Sequence, residues 1–151
     1  MAERLRILVA EDLPDSVELL KLAFSRAGVS APVHYVKDGE ETIEYLRRAA
    51  EANRPEHSSP TMLLLDLKMP RLDGFGVMEW LRLQPGLRRL LVVVFTSSTE
   101  QHDVNRAFDL GANSYIVKPV EFHELQGIVS QLESYWLKLN RCPDYMPPVS
   151  G

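Results

Sequence analysis

Five side chains in this sequence could do chemistry together, because each lies at or just beyond the end of a short apolar run. They are Glu11 and Asp12 after residues 5–10, Asp66 after residues 62–65, Thr96 after residues 90–95, and Lys118 after residues 114–117. Such runs are typical of strands buried in a parallel sheet. The carboxyl ends of parallel strands share one edge, where open α/β sheets bind their ligands. We therefore expect these side chains to meet in one crevice.

The chemistry that this set suggests is phosphoryl transfer. Three neighbouring carboxylates repel one another, and their pKa values would rise unless a cation lay among them. Oxygen ligands without nearby histidine or cysteine favour Mg²⁺. Asp66 would then be the nucleophile, the metal and Lys118 would neutralise the developing charge, and the Thr96 hydroxyl would bond the transferred oxygens.

Each of these residues also has a purely structural explanation. Glu11 and Asp12 could cap a helix, Asp66 and Thr96 could form turns, and Lys118 could be a solvated charge. The structural explanations would require independent coincidences at the ends of four strands on one edge of the sheet. Taken together, they are therefore weaker than the chemical explanation.

The elements that must position these residues alternate five times between an apolar run and a helical pattern. A helix after Pro14 would bury Val17, Leu20 and Phe24 and stop at Gly28. The other expected elements are a strand at 32–36 and helices at about 40–50, from 74, at about 100–110, and over the stripe 125–139. Residues 51–60 resemble an exposed loop. Five such units predict an α/β fold with a doubly wound, five-stranded parallel sheet and five helices.

Length and composition fit one domain, expected at residues 4–140, with a disordered tail at 141–151. The 151 residues carry a net charge of −4 and show no basic stripe, so we expect no nucleic-acid surface. No apolar stretch is long enough to span a membrane. The single cysteine, Cys142, fits a reducing compartment, so we expect a cytoplasmic protein.

The same positions resemble the response-regulator receiver domain of bacterial two-component systems. The resemblance covers residues 4–139, and the residues that carry it are Glu11-Asp12, Asp66, Met69-Pro70, Gly74, Thr96 and Lys118-Pro119. It implies a flavodoxin-like fold with strand order 2-1-3-4-5. It also implies that Asp66 accepts a phosphoryl group from a histidine kinase. The protein would be a signalling phosphoacceptor that catalyses only its own phosphorylation and dephosphorylation.

The resemblance further implies roles for individual residues. Asp12, Asp66 and the backbone carbonyl of Lys68 would bind Mg²⁺, with Glu11 helping through water. Thr96 would move toward the phosphoryl group, and Tyr115 would swing inward to fill the vacated space. An ordinary half-buried strand aromatic explains Tyr115 equally well. The bond from Lys118 to the following proline is usually cis in such domains.

A closer resemblance, to the small response regulators that partner bacterial phytochromes, rests on the long second loop, the phrase at residues 117–122 and the late aromatic residues Tyr135-Trp136-Leu137. It implies a phytochrome kinase as partner and an output through protein contacts. The last helix is apolar on nearly every side, which suits either a homodimer surface or aromatic residues folded back over the sheet. The sequence leaves both open, as it leaves open an output role or a phosphorelay role.

Three other functional hypotheses explain the same residues less well. An aspartate-nucleophile phosphohydrolase would need a second aspartate where Lys68 stands. A nucleotide-binding protein would need a Walker loop, which Gly74-Phe75-Gly76 is not. A receiver-like scaffold that works without phosphorylation would not need the complete set of site residues.

Overall fold

The computed structural model describes residues 6–52 and 60–141, and these form alternating strands and helices. The strands are β1 (Ile7–Ala10), β2 (Val33–Val36), β3 (Met62–Leu65), β4 (Leu91–Thr96) and β5 (Ser114–Val117). The helices are α1 (Pro14–Arg26), α2 (Gly39–Ala52), α3 (Gly74–Arg82), α4 (Gln101–Asp109) and α5 (Phe122–Leu132). The expected tail from 142 onward and most of the loop at 51–60 lie outside the described residues.

The strands form one parallel sheet in the order β2-β1-β3-β4-β5. This order confirms the predicted doubly wound α/β fold. All four residues of β1 and all four of β3 are buried, because helices cover both faces of the sheet. The side chains of each strand therefore divide between two hydrophobic clusters, one on each face.

The two clusters show how the strands alternate. Leu8 and Leu63 lie in the first cluster, with residues of α2, α3 and α4. Val9 and Leu64 lie in the second cluster, with residues of α1 and α5. Neighbouring residues of a strand point to opposite faces, so one short apolar run supplies both clusters.

Helix boundaries follow local sequence signals. Pro14 occupies the first turn of α1, where the missing N–H costs nothing. Asp73 caps α3 by accepting a hydrogen bond from the Gly76 N–H at 2.9 Å. The helix α2 begins at Gly39 and ends at Ala52, so it is slightly longer than expected. A 3-10 turn, Pro85–Leu87, follows α3.

The last helical stretch differs from the expected single helix. After α5 the chain continues as a π-helical segment, Glu133–Leu139. Trp136 packs against the second cluster, as the folded-back interpretation requires. Tyr135 is 52% exposed and Leu139 is 74% exposed, as a free apolar surface requires. Trp136 therefore fits the folded-back interpretation, whereas Tyr135 and Leu139 fit the interpretation of a free apolar surface.

No helix within residues 6–52 and 60–141 is both long and apolar enough to cross a membrane.

Candidate functional site

The carboxyl ends of four strands meet at one edge of the sheet. Ala10 at the end of β1 pairs with Leu65 at the end of β3, and the Asp66 N–H donates to the Ala10 carbonyl at 3.1 Å. Thr96 at the end of β4 pairs with Val117 of β5. The register therefore places the expected site residues just beyond this edge.

Three carboxylates form an acidic cluster there. Glu11, Asp12 and Asp66 each offer an oxygen atom, and these oxygens lie within 4.8 Å of one another. Glu11 is 2% exposed and Asp66 is 5% exposed, whereas Asp12 is half-buried. Hard oxygen donors at this spacing fit a small divalent cation such as Mg²⁺, which takes one or two carboxylates and retains several waters. The donor set therefore fits a metal of this kind.

Lys118 crosses from the end of β5 to the acidic cluster. Its Nζ atom lies 2.8 Å from Asp66 Oδ2 and also contacts Glu11 Oε1. Burial alone would lower the pKa of Lys118, but hydrogen bonds to Asp66 and Glu11 outweigh burial and raise the pKa above its ordinary value. Lys118 is therefore charged at neutral pH and offsets part of the negative charge of the cluster.

Glu11 lies deepest in the cluster. Burial raises the pKa of its carboxyl, while Lys118 and a hydrogen bond from the backbone of Leu13 oppose this shift. The Leu13 N–H donates to Glu11 Oε2 at 3.1 Å, and the Glu11 N–H donates to the Val36 carbonyl at 2.9 Å. The carboxyl is thus held by backbone on one side and by Lys118 on the other.

The backbone around Asp66 leaves no room for a side chain at residue 74. A Cβ atom at Gly74 would lie 2.4 Å from the Asp66 carbonyl oxygen. The Gly74 N–H donates to the Leu67 carbonyl at 3.0 Å, which closes the loop at residues 67–73. The Lys68 N–H donates to Asp66 Oδ1 at 3.2 Å, while the Lys68 side chain is exposed. This loop therefore touches the Asp66 carboxylate directly.

Thr96 and Tyr115 both form hydrogen bonds with Ser98, a residue that the sequence analysis did not single out. Thr96 is fully buried, and its Oγ1 accepts from the Ser98 N–H at 3.4 Å. The Tyr115 hydroxyl donates to the Ser98 carbonyl at 3.0 Å. The Ser98 hydroxyl donates to Asp103 in α4 at 2.6 Å. Ser98 thus joins Thr96, Tyr115 and the start of α4. The sequence signal for this residue was a serine just before a helix that has an acidic residue in its first turn.

The cis bond expected after Lys118 is not present in this structure. Every peptide bond within the described residues is trans, including the one from Lys118 to Pro119. The trans form is the more favourable one even before proline.

Comparison with known proteins agrees with this arrangement. A family model described as the response regulator receiver domain matches residues 7–130. The probable methanogenesis regulatory protein FilR2 of Methanothrix harundinacea is 37% identical over 137 residues, which cover 91% of this chain and 86% of that protein. Response regulator Rcp1 of Synechocystis is 30% identical over 138 residues, which cover 91% of this chain and 92% of that protein.

Solved structures show the same similarity. The phosphorylated cyanobacterial phytochrome response regulator RcpA has a TM-score of 0.83 and 33% identity, over 93% of this chain and 99% of that one. The Mn²⁺-bound form of response regulator Rcp1 has a TM-score of 0.79 and 29% identity, over 91% of this chain and 98% of that one. The chain therefore belongs to the response-regulator receiver family, and its relatives include phytochrome response regulators.

Proposed function

We propose that this protein is a response regulator that accepts a phosphoryl group on Asp66 from a histidine kinase, with Mg²⁺ bound at the acidic cluster. The observation that carries the proposal is the contact of the Lys118 ammonium with both Asp66 and Glu11 at the end of the sheet. A lysine in this position can pair with the oxygens of a phosphoryl group carried by Asp66. We propose the receiver domain at residues 4–140, acting in the cytoplasm.

In the proposed reaction, an Asp66 carboxylate oxygen attacks the phosphorus atom of a phosphohistidine. A phosphorus–oxygen bond forms, the phosphorus–nitrogen bond breaks, and the histidine departs with the electron pair of that bond. Lys118 pairs with the transferred oxygens and the Thr96 hydroxyl donates to them. The protein thus catalyses its own phosphorylation. With water as the attacking group it also catalyses hydrolysis of the aspartyl phosphate, which releases inorganic phosphate and restores the Asp66 carboxylate.

The residues proposed to hold Mg²⁺ are Asp12, Asp66 and the backbone carbonyl of Lys68, with Glu11 acting through water. When bound, the ion would neutralise charge on the transferred oxygens. Two observations support this assignment. The three carboxylate oxygens lie within 4.8 Å of one another, and a relative, response regulator Rcp1, has a crystal structure in its Mn²⁺-bound form.

We propose a bacterial phytochrome as the kinase, because several of the most similar solved structures are phytochrome response regulators. Exposed apolar side chains next to the site would contact such a kinase. Leu13, which follows Asp12, is 53% exposed, and Val120, near Lys118, is 99% exposed. Tyr135 and Leu139 provide the surface for a proposed homodimer.

Phosphorylation can be tested by intact mass after incubation with acetyl phosphate, with and without Mg²⁺. The wild type is expected to gain one phosphoryl group only when Mg²⁺ is present, and Asp66→Asn is expected to gain none. No gain by the wild type would favour the receiver-like scaffold that works without phosphorylation. Steady release of phosphate from many small esters would favour the phosphohydrolase.

A further inference from the structure

The loop between β3 and α3, residues 67–73, is attached to the start of α2. The Gly39 N–H donates to the Leu72 carbonyl at 3.0 Å. A Cβ atom at Gly39 would lie 2.2 Å from that carbonyl oxygen, so only glycine permits this approach. Leu72 also packs against the first hydrophobic cluster. The far end of the loop is therefore fixed to a different unit of the fold.

An ion pair reinforces this attachment. Asp38, just before α2, is 3% exposed, and its Oδ1 accepts from the Glu41 N–H at 2.8 Å. Its other oxygen lies 3.3 Å from Nε of Arg71 in the loop. A buried carboxylate thus combines two tasks, because it caps α2 and holds an arginine of the neighbouring loop.

Arg71 also has an unusual backbone conformation. It has a φ of +67°, and within the described residues it is the one residue other than glycine with a positive φ. The left-handed conformation is unfavourable for an L-residue, because its Cβ atom comes too close to the following carbonyl oxygen. Conformations of this kind persist only where surrounding contacts hold them. The ion pair with Asp38 and the bond from Gly39 to Leu72 are contacts of this type.

The loop held in this way touches the functional site, since the Lys68 N–H donates to Asp66 Oδ1. We infer that Asp38 is a positioning residue, which acts through Arg71 to fix the loop at residues 67–73 and thereby adjusts the Mg²⁺ affinity of the acidic cluster. The inference rests on the proposed function, because it takes the Lys68 backbone as part of the metal site. Asp38 itself makes no contact with the metal in this account.

The decisive test is calorimetric titration of the unphosphorylated protein with MgCl₂. Arg71→Ala is expected to bind Mg²⁺ about tenfold more weakly, which is the lower end of the effect of residues that orient metal ligands. Charge alone predicts the opposite, because removal of a cation from an acidic protein should strengthen Mg²⁺ binding. Arg88→Ala removes the same charge at an exposed position beyond α3 and should bind like the wild type.

Two further variants separate the ion pair from other effects. Asp38→Asn can still cap α2 but loses the charge that holds Arg71, and it should weaken Mg²⁺ binding as much as Arg71→Ala does. The double variant should be no weaker than either single one, since both remove the same pair. Arg71→Gly accepts the positive φ without strain, so full recovery of Mg²⁺ affinity in this variant would overturn the role of Asp38.

The outcomes distinguish this inference from the proposed function. If the wild type binds Mg²⁺ and gains a phosphoryl group while Arg71→Ala binds Mg²⁺ equally well, the positioning role is wrong and the proposed function stands. If the wild type neither binds Mg²⁺ nor gains a phosphoryl group, the proposed function is wrong and the inference fails with it. Weak binding by Arg71→Ala, with a thermal melt like that of the wild type, supports the positioning role.

Discussion

Lys118 Nζ lies 2.8 Å from Asp66 Oδ2, although the two residues follow strands that are not neighbours in the sheet. The strand β4 separates β3 from β5, so the lysine reaches across the end of β4 to meet the carboxylate. Both side chains are largely buried, with 16% of the lysine and 6% of the aspartate side chain exposed. In this environment a charge pair is stronger than at the surface, and loss of one partner leaves a buried charge.

The first prediction concerns the charge of Lys118. Lys118→Met keeps an unbranched side chain of nearly the same length and removes its charge, so the initial rate of phosphoryl gain from acetyl phosphate should fall by about a hundredfold or more. Intact mass measured over time gives this rate. Lys138→Met is the matched control, because Lys138 is exposed in the π-helical segment, and it should keep the wild-type rate. An unchanged rate in Lys118→Met would show that the lysine has no role in the transfer.

The second prediction concerns the close approach of Gly74 to Asp66. Gly74→Ala should lower the free energy of unfolding by about 1–3 kcal/mol, because the added Cβ would collide with the Asp66 carbonyl. Urea denaturation measures the change. Gly127→Ala, at an exposed position in α5 with open space around its Cβ, should instead raise the free energy of unfolding by about 0.5–1 kcal/mol. Equal behaviour of the two variants would argue against the close approach.

The third prediction tests the switch that the family resemblance implies, in which Thr96 moves toward the phosphoryl group and Tyr115 swings inward. Tyr115→Phe removes the hydrogen bond to the Ser98 carbonyl, which should cost about 1 kcal/mol in the free energy of unfolding of the unphosphorylated protein. If Tyr115 swings inward on activation, this cost should disappear when beryllium fluoride, a phosphoryl mimic, is bound. Tyr45→Phe is the control: Tyr45 of α2 stacks on His34 of β2, so this variant should have the same effect on the free energy of unfolding in both states. The same cost for Tyr115→Phe with and without the mimic would contradict the switch.

The fourth prediction concerns the exposed apolar residues of the last segment. Leu139→Ser should raise the dissociation constant of the proposed dimer about tenfold or more, because a buried leucine contributes about 1.5–3 kcal/mol. Light scattering over a concentration series gives this constant. Leu83→Ser is the control, because Leu83 is 77% exposed at the end of α3. A wild type that stays monomeric, or an equal effect of Leu83→Ser, would rule out this surface.

The sequence was sufficient to predict the features that depend on local pattern. The run at residues 62–65 indicated a fully buried strand because four apolar residues precede one acid, and both faces of β3 are indeed buried. The alternation of strands and helices predicted the parallel sheet. From this sheet followed the expectation that Asp66 and Lys118 lie at one edge.

Other features could not be predicted because they depend on how separate units pack. The ion pair between Asp38 and Arg71 joins two loops, and neither residue belongs to a pattern that indicates a partner. The positive φ of Arg71 has no signal in a residue type that rarely adopts it. A serine just before α4 was a signal for its hydrogen bond to Asp103, but only the packed structure shows that Ser98 also joins Thr96 to Tyr115.

The central claim, that Asp66 carries the phosphoryl group, is tested most directly by chemical trapping of the modified residue. After reaction with acetyl phosphate and Mg²⁺, borohydride reduces an aspartyl phosphate to homoserine, and peptide mapping locates it. We predict homoserine at position 66 and unmodified aspartate at position 12. Homoserine at another position, or a protein that gains phosphate but yields no homoserine, would contradict the account.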